Sequence, residues 1–465
     1  MKGLLLTSLA ALLYALSFEP VAIWFFAPIA YALLFWVLNN FQRKIVHVSL
    51  FAFLSNLVIL SWTNSFVGSI PWILLSLLQI IYILPLGFFA KKSRSAPLFI
   101  FLVLLSESLK SRIPFGGFAW TRIAFSQIDS PYSPLVSVVG ITALSGITLL
   151  VSYLLLHPNR RIALLLFTLF VASQLAPASS HSVDSLNVLA IQGGVPERGL
   201  NFNARAQAVL DLHIKTSLRD RDGSEDLIIW PENAIDVDPL KNFVAERKLN
   251  GLIKTIDAEL LAGAIVQEAG LRNTSILFDN SGAAKSIYIK RKLTPFGEYI
   301  PLRPIAEFIS PYAEDVTDFT AGNTRVIHEV QGHQIGSVIC YEVLTDGLVR
   351  DIASSSDLLV VHTNSATFSG SSEGMQQLAI TRLRAIESGK SIISVSTTGP
   401  SAIVNPRGEV LQLLEDGEIG SLKARVPLIS TGTIATRLGG WLEVAVLLLA
   451  GFFTFASLRR ERYSL

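Results

Sequence analysis

Charged residues are scarce in this chain: they make up 16% of its 465 residues, whereas soluble domains average about one quarter. Hydrophobic residues make up 51%, so the composition argues against a purely soluble protein and against intrinsic disorder. Cysteine occurs once, at Cys340, which excludes an internal disulfide and a disulfide-built scaffold. The net charge of +2 lacks the basic excess of a nucleic-acid-binding protein, so we expect no nucleic-acid partner.

Short motifs for metals and nucleotides are also missing. The seven histidines form no i, i+4 pair and no HExxH motif, no GxGxxG is present, and the Gly-Lys-Ser run at 389–391 lacks the leading glycine of a P-loop. We therefore expect no metal and no cofactor, and we interpret His328 and His333 as surface residues. Residues 370–374 match GxSxG, but no strand directly precedes them, so we predict a loop and a helix start there.

The few charges are unevenly distributed. Residues 1–178 contain 11 Lys/Arg and 3 Asp/Glu, whereas the remaining 287 residues contain 27 and 33. This contrast predicts a membrane domain over 1–178, a water-soluble domain over 179–438, and a C-terminal transmembrane helix with a short tail over 439–465. A small-residue, Pro/Ser-containing linker at 176–182 separates the first two parts.

Apolar runs of about 20 residues are long enough to cross a bilayer as helices. We predict about eight spans in an α-helical membrane bundle, near 3–18, 20–38, 46–62, 70–90, 96–109, 133–156, 161–178 and 440–457. The first run also resembles a signal peptide, but no clear small-x-small cleavage site precedes the next run, and we interpret it as a retained helix.

Basic residues mark one side of this bundle. They follow the second, fourth, sixth and eighth spans, at 43–44, 91–94, 160–161 and 459–462. Because cytoplasmic loops are enriched in Lys and Arg, we predict that both termini are cytoplasmic. Seven crossings then place residues 179–438 outside the cytoplasm.

The soluble part alternates short apolar strands with helical stretches, which is typical of an α/β domain. We predict helices at 204–218, 240–249 and 374–387. The predicted strands are 185–192, 226–230, 259–265, 275–278, 286–290, 334–340, 358–363 and 391–396.

Three chemically useful residues follow predicted strands of this domain. Cys340 ends the strand at 334–340, Glu232 follows the strand at 226–230, and Lys290 ends the strand at 286–290. Each residue alone has a plain structural interpretation, as a buried cysteine or a solvated charge. Reactive groups of α/β folds commonly lie at strand ends, and a thiolate with a neighbouring base and cation is a competent nucleophile.

The order and spacing of these residues resemble the carbon–nitrogen hydrolase (nitrilase) superfamily over roughly 185–425. The predicted spans narrow the resemblance to apolipoprotein N-acyltransferases, as do the Leu-Thr-Pro-Phe-Gly-Glu-Tyr-Ile-Pro run at 293–301 and the Ile-Cys-Tyr-Glu run at 339–342. The resemblance implies a nitrilase-like αββα sandwich. It also implies that Cys340 is the nucleophile, Glu232 the general base and Lys290 the catalytic lysine. Supporting or substrate-binding positions would be Glu298, Tyr341 and Glu342.

The reaction implied by the resemblance is ping-pong acyl transfer. Cys340 would take an acyl chain from a membrane phospholipid as a thioester and pass it to the N-terminal amine of a diacylglyceryl-cysteine lipoprotein. The protein would be a multi-pass protein of the bacterial cytoplasmic (inner) membrane, with its catalytic domain on the periplasmic side. Its partners would be the phospholipid donor, the lipoprotein acceptor and membrane lipids.

Two departures from the family pattern bear on substrate preference. Phe202 stands where a tryptophan is common, and the run at 363–368 reads Thr-Asn-Ser-Ala-Thr-Phe where Ser-Asn-Asp-Ala-Trp-Phe is expected. Two other functions stay open at this point: a membrane-tethered amidase or nitrilase that hydrolyses a small amide, and a membrane scaffold with an inactive nitrilase fold.

Overall fold

The computed structural model describes residues 1–90, 95–176, 182–197, 206–309 and 312–463. The chain divides into two compact units: Met1–Pro177 together with Leu438–Leu465, and Ala178–Arg437. The C-terminal segment, which we predicted as a separate part, thus belongs to the same unit as the N-terminal helices. Phe202 and most of the predicted linker lie outside the described residues.

The first unit is helical, and each predicted span in it contains a helix. Three segments of the described chain are long and apolar enough to cross a membrane, namely Ser69–Phe89, Ser133–Leu156 and Gly440–Arg459, and three shorter apolar helices precede them. The count of eight spans stays a prediction. The helices before the second unit are α1 (Lys2–Leu16), α2 (Phe26–Asn40), α3 (Lys44–Ile59), α4 (Asn64–Val67), α5 (Ser69–Phe89), α6 (Ala96–Lys110), α7 (Val136–Leu156) and α8 (Arg160–Gln174).

The second unit contains strands and helices in alternation. Its strands are β1 (Asp184–Gln192), β2 (Leu227–Ile235), β3 (Glu259–Gln267), β4 (Leu271–Phe278), β5 (Ala284–Ile289), β6 (His328–Val330), β7 (His333–Ile339), β8 (Leu358–Thr363), β9 (Ile392–Ser396), β10 (Ser401–Val404), β11 (Val410–Leu414) and β12 (Gly420–Leu428). Its helices are α9 (Ala208–Asp220), α10 (Phe243–Ile256), α11 (Arg303–Ile309), α12 (Tyr312–Asp315), α13 (Asp346–Ala353), α14 (Glu373–Ser388) and α15 (Ile434–Leu438).

These strands form two mixed six-stranded sheets. The first has the order β12-β1-β2-β3-β4-β5, and its central strands β1, β2 and β3 are parallel. The second has the order β11-β10-β9-β8-β7-β6, and its central strands β7, β8 and β9 are parallel. Each parallel core is flanked by antiparallel strands. Glu232 lies in β2 just after its regular pairing ends at Trp230, and Cys340 directly follows β7.

Alternation along the strands explains why the sheets stack. Side chains of successive strand residues point to opposite faces: Leu227 and Ile229 of β2 enter the core between the sheets, whereas Ile228 and Trp230 enter the core beneath α9 and α10. Helices α13 and α14 pack on the second sheet. The result is a helix–sheet–sheet–helix sandwich in which both sheets are covered on both faces.

Two predictions for this unit were wrong in detail. His328 is not a surface residue: it lies on β6 with no exposed area, and its Nδ1 is 2.7 Å from the Ser286 hydroxyl. The strand predicted to stop before Pro231 continues to Ile235 with an irregular register after Trp230. The GxSxG run spans a loop and the start of α14, which begins at Glu373, as predicted.

The chain ends in helix α16 (Gly440–Tyr463), which packs against α6 and α7 of the first unit. Arg112 forms a two-pronged ion pair with Glu443, with nitrogen–oxygen distances of 2.9 and 2.6 Å. The Ser95 hydroxyl lies 2.9 Å from that of Ser457. These contacts join sequence-distant helices into one bundle.

Candidate active site

Glu232 occupies the irregular part of β2, where the strand bends away from the regular β3 pairing. The close approach of β3 depends on Gly263: a Cβ there would lie 2.3 Å from the Pro231 carbonyl oxygen and 2.6 Å from the Glu232 Cα. A larger residue at 263 would therefore collide with backbone atoms that cannot move aside cheaply. The glycine allows the Glu232 carboxylate to be buried at the sheet end, where it is 5% exposed.

Lys290 follows β5 and is almost completely buried, with 1% exposure. Its ammonium lies 3.1 Å from Glu232 Oε1 and 2.8 Å from Glu298 Oε2. Burial by itself would lower the pKa of Lys290, but the negative charges of Glu232 and Glu298 outweigh burial and raise it. Lys290 therefore carries a positive charge at this site, and the charge acts more strongly than it would in water because the site is buried.

Asn273, a residue that the sequence analysis missed, joins the two carboxylates. Its side-chain amide donates hydrogen bonds of 2.6 Å to Glu232 and 2.7 Å to Glu298, and its backbone carbonyl accepts from the Lys290 N–H. Our predicted strand began at Ser275, so it excluded Asn273. The available signal was the polar run Arg272-Asn273-Thr274-Ser275 between Leu271 and Ile276, of which Asn273, Thr274 and Ser275 are buried.

Cys340 lies in a sharp turn that directly follows β7. Its φ of +50° is in the left-handed region, which non-glycine residues rarely adopt. The turn is held by the Glu342 carboxylate, which accepts hydrogen bonds from the backbone N–H groups of Ile339 and Arg291 and from the Tyr288 hydroxyl. A strained nucleophile position that is fixed by its surroundings is a common feature of active sites.

The thiol of Cys340 is in electrostatic contact with the carboxylate and ammonium groups just described. Burial is the largest cause that raises its pKa, Glu232 raises it further, and Lys290 partly offsets both. The thiol thus rests protonated, and a base must remove its proton before it can attack. Glu232 is the candidate for this base, and its second oxygen accepts a 3.0 Å hydrogen bond from the Asn364 N–H.

A buried polar network beneath the site ties the two sheets together. His362 Nδ1 lies 2.8 Å from the Trp230 carbonyl oxygen, and its Nε2 lies 3.0 Å from Ser275 and 3.2 Å from Ser337. Burial lowers the pKa of His362 to about 4, so the ring is neutral at physiological pH. The network links the strands that carry Glu232, Asn273 and Cys340.

The structure thus brings Glu232, Lys290 and Glu298 into direct contact and places Cys340 within their electrostatic reach. Tyr341 is buried next to the cysteine, and Glu342 faces protein donors inside the turn. This arrangement provides a nucleophile, a proton acceptor and a cation for an oxyanion. Such a set can form and break a thioester.

Both units match known families. Residues 10–154 match the apolipoprotein N-acyltransferase N-terminal domain, and residues 194–436 match the carbon–nitrogen hydrolase family. The apolipoprotein N-acyltransferase of Mycolicibacterium smegmatis is 31% identical over 94% of this chain and 82% of its own length. That of Shewanella oneidensis is 27% identical over 96% and 94%.

Among solved structures, an amidase from Nesterenkonia sp. is 21% identical, covers 54% of this chain and 94% of its own, and has a TM-score of 0.41. The family assignment rests on the sequence matches, which extend over both units. The chain belongs to the apolipoprotein N-acyltransferase family, acyltransferases whose catalytic domain is of the carbon–nitrogen hydrolase type.

Proposed function

We propose that this chain transfers an acyl chain from a membrane phospholipid to the N-terminal amine of a diacylglyceryl-cysteine lipoprotein, through a thioester on Cys340. The observation that carries the proposal is the buried cluster of Lys290 with Glu232 and Glu298 acting on the protein's one cysteine. The family membership supports the same reaction.

In the first half-reaction Glu232 accepts the thiol proton as the Cys340 sulfur attacks the ester carbonyl of the phospholipid. The carbonyl oxygen becomes an oxyanion, which the Lys290 ammonium stabilises. As the intermediate collapses, the carbon–oxygen bond breaks and Glu232 returns the proton to the leaving alcohol. The products are a lysophospholipid and an acyl-enzyme thioester.

In the second half-reaction the amine of the lipoprotein attacks the thioester carbonyl. Lys290 again stabilises the oxyanion, the carbon–sulfur bond breaks, and a proton passes from the nitrogen through Glu232 to the sulfur. The amide forms and the Cys340 thiol is restored. Burial of the site favours this route over hydrolysis, because water must be kept from the thioester.

A lipid donor is further supported by exposed apolar side chains that follow the site along the chain. Phe296, Leu302, Ile305 and Phe308 are each more than half exposed, and Phe308 is 92% exposed. Ile305 and Phe308 lie three residues apart on α11 and so share one face of that helix, and exposed apolar patches commonly mark interaction sites. They would suit contact with membrane lipids.

The same proposal includes the topology: eight spans, and a catalytic unit on the periplasmic side of the bacterial inner membrane. The basic segments after alternate spans support it. In a Cys340→Ala background, Glu268→Cys in the catalytic unit should react with a membrane-impermeant maleimide on spheroplasts. Asn159→Cys, between α7 and α8, should react only after lysis. The reverse pattern would place the catalytic unit in the cytoplasm.

The decisive experiment is intact mass of the purified protein after incubation with phospholipid in detergent. We expect the wild type to gain the mass of one fatty acyl chain and Cys340→Ala to gain none. A diacylated lipopeptide should then discharge the adduct and become N-acylated. Release of ammonia from small amides without a lipid adduct would instead support a tethered amidase. If neither a lipid adduct nor ammonia release is observed, the inactive scaffold is supported.

A further inference from the structure

The mechanism above leaves one buried acid beside the site unused. Glu373 is the first residue of α14 and is 4% exposed. Its Oε2 has no hydrogen-bond partner, and it forms no ion pair within the described part of the chain. A desolvated carboxylate oxygen without a partner is costly, so its presence beside the site points to a ligand.

Glu373 lies near the nucleophile because α14, which it begins, packs against the turn at Cys340–Leu344. Ile339 of β7 pairs with His362 of β8, so Cys340 comes next to Thr363, whose hydroxyl is buried and unpartnered among the described residues. Glu373 and Cys340 are in electrostatic contact, since the charge of Glu373 contributes to the raised pKa of the thiol. Buried, unpartnered oxygens therefore lie on the side of Cys340 that faces β8 and α14.

The acidic side chains near Cys340 outnumber the nearby cations. Lys290 is shared between Glu232 and Glu298, which leaves Glu373 as a third acid with no cation of its own in the described structure. Burial is the main cause that raises the pKa of Glu373 to about 7; a hydrogen bond with the Ser365 side chain partly offsets it, and the nearby charge of Glu232 adds to it. A cationic ligand would relieve this excess of negative charge.

We propose that the Glu373 carboxylate binds the N-terminal ammonium group of the acceptor lipopeptide and positions it for attack on the Cys340 thioester. The inference rests on the proposed function and extends it by naming a residue that recognises the acceptor. Glu373 accepts a hydrogen bond from the ammonium, which releases one proton to solvent before the carbon–nitrogen bond forms. The second proton then passes through Glu232 to the Cys340 sulfur, as described above. The unpartnered Thr363 hydroxyl offers a further acceptor on the same side.

The primary ammonium could also come from an ethanolamine headgroup of the donor, so the test separates the two half-reactions. Acyl-enzyme formation is measured by intact mass with phosphatidylethanolamine and with phosphatidylglycerol. Discharge of the isolated acyl-enzyme is then measured with a diacylated lipopeptide and with hydroxylamine, which is mostly uncharged at pH 7. Wild type is compared with Glu373→Gln, Glu373→Asp and the exposed control Glu268→Gln.

We expect Glu373→Gln to acylate within twofold of wild type from both phospholipids and to react normally with hydroxylamine. Its discharge by subsaturating lipopeptide should slow by about 10- to 100-fold, the range for loss of a charged hydrogen bond. Glu373→Asp should recover part of that loss, and Glu268→Gln should show none. Formation of the acyl-enzyme in wild type tests the proposed function separately.

Three results would overturn the inference. The first is discharge of the Glu373→Gln acyl-enzyme by lipopeptide at a rate within twofold of wild type. The second is that its discharge by hydroxylamine slows as much as its discharge by lipopeptide. The third is that its acylation slows with phosphatidylethanolamine but not with phosphatidylglycerol. If Glu373→Gln does not fold, wild-type enzyme still provides a test. An N,N-dimethylated lipopeptide, which is cationic, should inhibit at least tenfold more tightly than the neutral N-acetylated lipopeptide, and equal inhibition would contradict the role of Glu373.

Discussion

The Glu342 carboxylate accepts a 2.8 Å hydrogen bond from the backbone N–H of Ile339, three residues before it. The two residues thereby close the turn that holds Cys340 at a φ of +50°. The same carboxylate accepts hydrogen bonds from Arg291 and Lys292 backbone N–H groups. It thus fixes the nucleophile turn to the segment that follows Lys290.

Replacement of this carboxylate should loosen the turn. In Glu342→Gln the amide nitrogen cannot accept, so at least one buried N–H loses its partner at a cost of about 1–3 kcal/mol. We expect a lower melting temperature, slower acyl-enzyme formation and faster alkylation of Cys340 by iodoacetamide. Tyr288→Phe, which removes a single donor, should show the same changes to a smaller degree. Unchanged alkylation in Glu342→Gln would argue against a role in the turn.

Variants of the three proposed catalytic residues should lose far more activity than a variant of a neighbouring lysine. We expect Cys340→Ser to abolish turnover. Glu232→Gln and Lys290→Ala should each reduce acyl-enzyme formation by roughly 10²–10⁴-fold, the range for loss of an acid–base group. Lys285→Ala, on β5 and paired with Glu259 outside the site, is the matched control and should retain nearly full activity. A near-wild-type rate in any of the three site variants would overturn the assignment.

A methyl group at position 263 should displace Glu232 through its backbone. The added Cβ of Gly263→Ala meets backbone atoms of Pro231 and Glu232 at 2.3 and 2.6 Å, so β2 must shift. We expect a loss of about 1–3 kcal/mol in stability and slower acylation. Gly251→Ala in α10 is the control, because nothing lies near its Cβ and alanine favours a helix over glycine. Its melting temperature should rise slightly with no change in rate.

Three buried histidines should make the catalytic unit sensitive to mild acid. Burial lowers the pKa of His213 and His362 to about 4 and that of His328 to about 3, from 6.5 in the unfolded chain. Between these values the unfolded chain binds more protons, so the free energy of unfolding should fall as the pH drops from about 6.5 to 4. Each histidine contributes up to about 1.4 kcal/mol per pH unit in this window.

Denaturation of the full-length protein in detergent, measured at pH 8, 6 and 5, checks this slope. His328→Gln removes one of the three titrating groups, so the free energy of unfolding should depend on pH about one third less steeply. The stability of this variant is compared with that of wild type at pH 8, where all three rings are neutral. A slope identical to that of wild type would mean that His328 does not titrate on unfolding.

Several elements were predictable because their signals are local. Strand β8 was predicted with its observed ends, and α14 to within one residue at each end, since β8 begins with four successive apolar residues and α14 has clear helical spacing. The short β6 and the mostly exposed β11 were missed because three residues or an exposed surface carry little apolar pattern. β12 was missed although it pairs with β1 along nine residues, because that pairing joins segments more than 200 residues apart.

The sequence by itself determined the division into an apolar part and an α/β part, because composition is a property of each segment of the chain. It also identified Glu232, Lys290 and Cys340 as candidate site residues, because the motifs that contain them are local in sequence. Only the tertiary structure decided which groups meet. The contacts of Asn273 with two carboxylates, the fit of Gly263 against Glu232 and the buried position of Glu373 all join residues from separate elements. Burial and electrostatic coupling depend on such distances in space, and no local pattern records them.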